Sequence, residues 1–258
     1  MPKLWWLGAL CLCVASDSFA KEPGDYLEDA RDYFLAPLHW DQHDWLMAGE
    51  VAAITAVAYT VDSSVQHHFA PAGPSAGGDP NSLRDSAPML AMVLGTAAVG
   101  LVTNDPMIRA TAGDMTEAVV LASGASLGLK YAFGRERPIE TSDHSAWFSG
   151  GDSFPSGHTA AAFAAAQAFA DSRPEGEWTW RIAAYSMGAL TAYARVHDNQ
   201  HWLSDTVAGA ALGVATGRFV SNRRIAVSNE HPVRISIRPT KGGAMLTLAV
   251  DPGRFLAW

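Results

Sequence analysis

Thr159-Ala-Ala-Ala-Phe-Ala-Ala-Ala-Gln-Ala-Phe-Ala170 decides the fold class of this chain. Alanine is the strongest helix former, and nothing after Thr159 is β-branched, so the stretch reads as a helix whose small side chains allow close packing. Outward from it, residues 45–61, 87–102, 115–133, 182–196 and 202–220 repeat the pattern, rich in Ala, Leu, Met and Gly with few β-branched runs. Breaker-rich loops separate them: Ala70-Pro-Ala-Gly-Pro74 running into Gly77-Gly-Asp-Pro80, then Ser149-Gly-Gly-Asp152 and Arg173-Pro-Glu-Gly176. There is no internal repeat and no low-complexity block. The expected fold is all-α, a helical bundle.

Composition narrows the function classes. The chain has 258 residues, 48% hydrophobic and 17% charged, with a net charge of -8 and a mean hydropathy of +0.03. That excludes a disordered tail protein and argues against a bundle of many long membrane spans. Lys+Arg 18 against Asp+Glu 26 makes a nucleic-acid partner or a basic lipid-binding surface unexpected, so an anionic ligand must meet a local cluster of positive charge. Most apolar runs are about 12 to 18 residues long and are interrupted by Glu50, Glu117, Lys130 or Asp205, whereas a span needs about 20 apolar residues. A soluble or peripheral protein is preferred over an integral one. Trp40, Trp45, Trp147, Trp178, Trp180 and Trp202 could serve a membrane interface, with core placement the preferred reading.

Residues 1–20 read as a cleavable export signal. Lys3 is followed by an apolar stretch over 4–14, and Ser18-Phe-Ala20 offers a small-residue cleavage site. Cys11 and Cys13 both fall inside it, so the mature chain is expected to hold no disulfide, thiolate nucleophile or Cys-ligated zinc. Cleavage removes Lys3 and Asp17, one charge of each sign. At the other end, Val233-Arg-Ile-Ser-Ile237 and Ala244-Met-Leu-Thr-Leu-Ala-Val250 alternate around Pro239-Thr-Lys-Gly-Gly243 as a β-hairpin would. The expected organisation is a signal over 1–20, a helical domain over 21–222 with core motifs in 130–205, and a hairpin extension over 223–258.

Three segments hold the chemistry-bearing residues. In Lys130-Tyr-Ala-Phe-Gly-Arg-Glu-Arg-Pro138, Lys130 and Arg137 stand seven apart, which on a helix places two cations on one face; the plainer reading is a basic helix C-terminus stopped by Pro138. Asp152-Ser-Phe-Pro-Ser-Gly-His-Thr159 enters the alanine-rich helix, where Gly157 and its neighbours can aim backbone N–H groups at an anion, Ser156 adds a hydroxyl and His158 a titratable proton. An ordinary N-cap with a surface histidine is the alternative. In Arg195-Val-His-Asp-Asn-Gln-His-Trp-Leu-Ser-Asp205, His201 and Asp205 are four apart, so the carboxylate can hold one imidazole nitrogen and leave the other to act. Arg195 reaches them if Asp198 and Asn199 turn the chain; a simple surface His–Asp pair is again the alternative. His197 and His201 could pair on a metal, but Asp198-Asn199 interrupts the helix and no His-Glu-x-x-His is present, so neither metal nor other cofactor is expected. His39, His43, His67 and His68 read as surface residues.

Taken in order, Lys-x6-Arg-Pro, Pro-Ser-Gly-His and Arg-x5-His-x3-Asp resemble the type 2 phosphatidic acid phosphatase (PAP2) family, which includes bacterial class A acid phosphatases and vanadium haloperoxidases. The resemblance covers roughly residues 87–220, and Ala194 departs from it where the family usually has Ser. It implies a metal-independent phosphatase in which Lys130, Arg137, Arg195, Ser156 and the N–H of Gly157 bind phosphate. His201, oriented by Asp205, would attack phosphorus to form a phosphohistidine, with His158 as general acid and then base. The implied substrate is a lipid phosphate or a small periplasmic phosphoester, for an exported protein in the periplasm or on the periplasmic face of a membrane. The alternatives are a vanadium-dependent haloperoxidase and a non-catalytic helical envelope protein.

Overall fold

The computed structural model describes residues 23–69, 83–174, 176–230, 233–240 and 243–250. The expected signal segment and the glycine- and proline-rich loop after residue 69 lie outside them. Eight helices occur among the described residues: α1 (Pro23–Leu35), α2 (Gln42–Tyr59), α3 (Asp62–Phe69), α4 (Leu83–Thr103), α5 (Pro106–Phe133), α6 (Gly157–Asp171), α7 (Trp178–His197) and α8 (Leu203–Glu230). The helical domain is all-α, as its composition predicts.

Helix α5 is the axis. Asp105 caps it, accepting from Met107 N at 2.8 Å and Ile108 N at 3.2 Å, with Pro106 at the first helical position. It begins nine residues before the apolar run that announces it, because Thr111, Asp114, Thr116 and Glu117 are polar yet buried. Residues 111–119 are all buried, with α4 and α6 packed against the helix. The core joins Met89 and Val93 of α4, Met115, Ala118, Val119 and Ala122 of α5, and Ala160, Ala161, Ala164, Ala165 and Ala168 of α6.

Glycine sets the spacing of α6 and α8. Gly209, Gly213 and Gly217 recur every four residues on one face of α8, and each meets α6 with no room for a side chain. A Cβ at Gly209 would lie 2.6 Å from Ser156 O, and one at Gly213 would lie 2.8 Å from Phe163 Cβ and 2.9 Å from Ala164 N. The two helices therefore meet backbone to backbone, and the register places α8's first turn beneath the first turn of α6.

Much apolar surface remains outside the core. Only Ala58 of α2 is buried, while Trp45, Leu46, Met47, Ile54 and Val57 are exposed. One helical stretch among the described residues, Ser86–Thr103, is long and apolar enough to cross a membrane, and 22% of it is buried. The preference for core tryptophans is corrected: Trp202 is buried, but Trp45, Trp178 and Trp180 are 58%, 68% and 55% exposed. Trp178 and Trp180 occupy the first turn of α7, ahead of its first buried residue, Ala184.

A second compact unit begins at Ser221. In it β1 (Val233–Thr240) pairs antiparallel with β2 (Gly243–Val250), Val233 opposite Val250 and Ser236 opposite Thr247.

Candidate active site

The end of α5 differs from the expected continuous helix through Lys130 and Arg137. Gly134 terminates it in the left-handed region (φ 51°), donating its N–H to Lys130 O at 2.8 Å, so Arg137 lies in the following loop. The two cations still converge, on Asp152. Gly134 O accepts from Ser149 N (2.9 Å) and Gly151 N (3.0 Å), which folds the loop back. Gly151 is required there because a Cβ would lie 2.6 Å from Glu136 Cα. Lys130 Nζ then donates to the backbone carbonyl of Asp152, while Arg137 forks onto its carboxylate, Nε to Oδ1 at 2.6 Å and Nη2 to Oδ2 at 3.0 Å. Arg137 Nη1 also donates to Gln200 Oε1 at 3.0 Å.

Ser156 precedes α6 as its N-cap residue, and its N–H donates to Asp205 O at 3.0 Å. Its hydroxyl pairs with Thr159 Oγ1 at 3.0 Å and does not cap the helix. Gly157 follows, with Lys130 Cε 3.8 Å from where a Cβ would stand, so this turn faces the lysine stem.

The third segment turns as Asp198 and Asn199 predict. Helix α7 ends at His197, Asn199 adopts φ 55°, and Arg195 O accepts from both Gln200 N (3.0 Å) and His201 N (3.2 Å). Six residues of chain thereby become one tight return, with Arg195 and His201 both buried. His201 Nδ1 lies 3.6 Å from Asp205 Oδ2, in ion-pair range but too far for a hydrogen bond. Ser153 fills the gap: its Oγ donates to Asp205 Oδ2 at 2.5 Å and lies 3.5 Å from His201 Nδ1. Trp202 N donates to the same carboxylate oxygen at 3.0 Å.

Charge makes these residues one site. Burial, then the nearby positive charge of Arg137, pushes the Lys130 ammonium down to about 7. Burial and the charges of Arg195, Lys130 and Arg137 hold His158 well below the ordinary imidazole value. Burial and the same three cations do so for His201. Burial raises Asp205, although the charge of Arg135 and the bonds from Ser153 and Trp202 N draw it back. Asp152 is buried in part, which opposes ionisation, yet its bonds to Arg137 and that residue's charge hold it below the usual carboxylate range. The result is two imidazoles of lowered proton affinity beside two guanidiniums and a lysine whose ammonium is brought down to about 7, an arrangement suited to a multiply charged anion.

Lys130, Arg137, Ser156, Gly157, His158, Arg195, His201 and Asp205 are thus all placed around one locus. Ser153, Asp152, Gln200 and Arg135 were not singled out from the sequence, although all four sit inside the quoted segments, where their residue types were the available signal. His197 pairs with Asp198 Oδ1 at 2.8 Å instead of joining His201. His39, His43, His67 and His68 are exposed. Among the described residues no group of three or more His, Cys, Asp or Glu side chains is placed to hold a metal.

Comparison with known proteins bears on the same segment. Residues 111–226 match the model of the PAP2 superfamily. A lipid A 1-phosphatase of Porphyromonas gingivalis is 39% identical over 91 residues, covering 35% of this chain and 18% of that protein. The matched stretch is therefore less than a fifth of that relative's length. No solved structure matches the chain.

Proposed function

We propose that the protein is a phosphatase of the PAP2 superfamily, whose model residues 111–226 match, and that it hydrolyses phosphate esters through a phosphohistidine. The observation that carries this reading is the convergence of Lys130, Arg137 and Arg195 on two imidazoles whose proton affinity is depressed by burial and then by those cations. Phosphoryl transfer gains mainly from positioning and from charge placed where the transferring group spreads its own.

His201 presents Nδ1 to Ser153 and Asp205, leaving Nε2 to attack phosphorus. The ester oxygen departs with a proton from His158, and the phosphoryl group remains on His201. His158 then takes a proton from water, whose oxygen attacks phosphorus, releasing inorganic phosphate and free His201. Burial, and then the charges of Arg195, Lys130 and Arg137, lower the proton affinity of His158; a bound dianion offsets the second of these and so brings the imidazole toward the protonated form it needs as an acid. Lys130, Arg137 and Arg195 hold the phosphoryl oxygens, with Ser156 and Gly157 N–H filling the remaining positions.

The substrate is a lipid phosphate met at a membrane surface on the exported side. Support comes from the exposed apolar faces of α2 and of Ser86–Thr103, and from the relative named for acting on lipid A. The test is turnover of a lipid phosphate against p-nitrophenyl phosphate by wild type and His201→Ala, with fractionation of the full chain. Loss of at least about a hundredfold in His201→Ala is expected, the scale of removing a group that acts in the transition state. Unchanged hydrolysis in that variant refutes the mechanism, bromide oxidation by vanadate-loaded protein without hydrolysis refutes the reaction, and hydrolysis confined to soluble esters refutes the substrate class.

A further inference from the structure

Asp62 opens α3, outside the residues that match the family and outside all three motifs. It is nonetheless buried, with both carboxylate oxygens committed to the site's foundations. Oδ1 accepts from Ser204 N at 2.9 Å, and Oδ2 accepts from Ser204 Oγ at 2.6 Å and from Arg135 Nη2 at 2.7 Å. Arg135 is the hinge of the arrangement. Its Nη1 donates to Asp205 Oδ1 at 2.6 Å and to Ser204 Oγ at 2.8 Å, and its Nη2 and Nε donate to His144 O at 2.7 and 3.2 Å. The guanidinium carbon stands 4.5 Å from the Trp147 ring centre, 5.1 Å from Trp202 and 5.2 Å from Tyr59, which exclude water around it.

Two carboxylates therefore share one guanidinium in a desolvated aromatic box, where charge interactions are strong. Arginine favours a bidentate grip on a single carboxylate. Here Asp62 holds one arm of the fork, so Arg135 reaches Asp205 through Nη1 alone and takes only Oδ1. Oδ2 stays aimed at Ser153 Oγ, Trp202 N and His201 Nδ1.

We infer that Asp62 is a positioning residue for the hydrolytic reaction, dividing Arg135 between two carboxylates so that Asp205 keeps an oxygen and its charge directed at His201. This rests on the reading of His201 as the nucleophile. With Asp62 neutralised, Arg135 is left to close on both oxygens of Asp205, rotating Oδ2 away from the imidazole. The hydrogen bonds of Asp62 run to Arg135 and Ser204, while those of Arg137 run to Asp152 and Gln200, so anion binding is expected to hold while the transfer step slows.

The experiment uses the full chain with p-nitrophenyl phosphate and enzyme in saturating excess, because a single-turnover rate constant measured at saturation does not depend on how many molecules are folded. In Asp62→Asn that constant is expected to fall about ten- to a hundredfold, the scale of a sub-ångström misplacement of a reacting group, while inhibition by inorganic phosphate stays within about twofold. Ser204→Ala, a milder change in the same network, is expected to act in the same direction and serves if Asp62→Asn does not fold. In the Arg135→Gln background Asp62→Asn is expected to add nothing, since its effect passes through Arg135. A wild type without turnover refutes the phosphatase reading and this inference with it. An active wild type whose folded Asp62→Asn or Ser204→Ala variant keeps its single-turnover constant refutes the role of Asp62 alone, as do additive losses with Arg135→Gln.

Discussion

Gly209→Ala adds one methyl group where α8 touches the entrance of α6. The new carbon would stand 2.6 Å from Ser156 O, against about 3.4 Å for ordinary contact, so the backbones must part by about 0.8 Å. The obstacle is a carbonyl in a helical turn, which cannot rotate aside as a side chain would. Overpacking of this kind costs about 1–3 kcal/mol, toward the upper end for a backbone clash, and the better helix propensity of alanine recovers about 1 kcal/mol. A net loss of about 2 kcal/mol lowers the melting temperature of a domain this size by about 4–8 °C. Activity should suffer more than stability. Ser156, Gly157 and His158 ride on the displaced turn, and a shift approaching 1 Å costs about a hundredfold when it misplaces reacting groups. Gly213→Ala is the control: it meets Ala160 O, Phe163 Cβ and Ala164 N one turn further along, more tightly than Gly209 meets Ser156 O, so it should melt at least as early with a smaller loss of kcat/KM. Thermal melts and p-nitrophenyl phosphate kinetics on the three proteins decide it. A Gly209→Ala protein that melts with wild type and turns over at the wild-type rate refutes backbone contact between the helices.

Other expectations concern protons and single groups. Ser153→Ala removes the hydroxyl between Asp205 and His201 and should lower kcat by roughly tenfold, the scale of one hydrogen bond to a charged group; an unchanged kcat would leave Ser153 without a role. Because burial and the charge of Arg137 bring the Lys130 ammonium down to about 7, the affinity for inorganic phosphate, corrected for the ligand's own ionisation in that range, should weaken as pH rises through about 7, a step that Lys130→Met should abolish in competition assays. His158 and His201 bind protons less readily folded than unfolded. The unfolded chain therefore takes up protons first as pH drops, and stability should be lost below about 6.5. Urea unfolding at pH 5 and 7 measures this, and equal midpoints would refute it. Binding of phosphate should be accompanied by proton uptake in that same range, read by calorimetry in two buffers of different ionisation enthalpy.

The helical class and the three segments were legible because each rests on local signals: alanine content, a proline–serine–glycine turn, and an Asp-Asn turn that lets Arg195 and His201 meet. Lys130 and Arg137 were paired correctly for a reason that fails in detail. Gly134 ends the helix between them, and it is Asp152, fifteen residues beyond Arg137, that draws them together. Asp62 escaped notice because nothing local marks it, since it meets Ser204 across 142 residues of chain; Arg135 stands inside the first quoted segment, where nothing local sets its role apart from that of Arg137. Helix α5 was read as starting late because its buried Thr111, Asp114 and Glu117 resemble surface residues until packing is known. The exposed Trp45 and Trp178 were misjudged for the converse reason, since bulk apolar character alone does not say which face of a helix has a neighbour.

Arg137 is not an open socket. Its fork is closed by Asp152, whose backbone carbonyl also receives Lys130. An arriving anion must therefore outbid a tethered carboxylate for the same donors. Chloride, with one charge and no fork to match, gains little by the exchange, and a solute carboxylate only replaces like with like. A phosphoryl group brings a second charge and further oxygens that Arg195 and the α6 turn can take up together. On the proposed reading the resident carboxylate acts as a threshold, sorting ligands by valence before any chemistry begins.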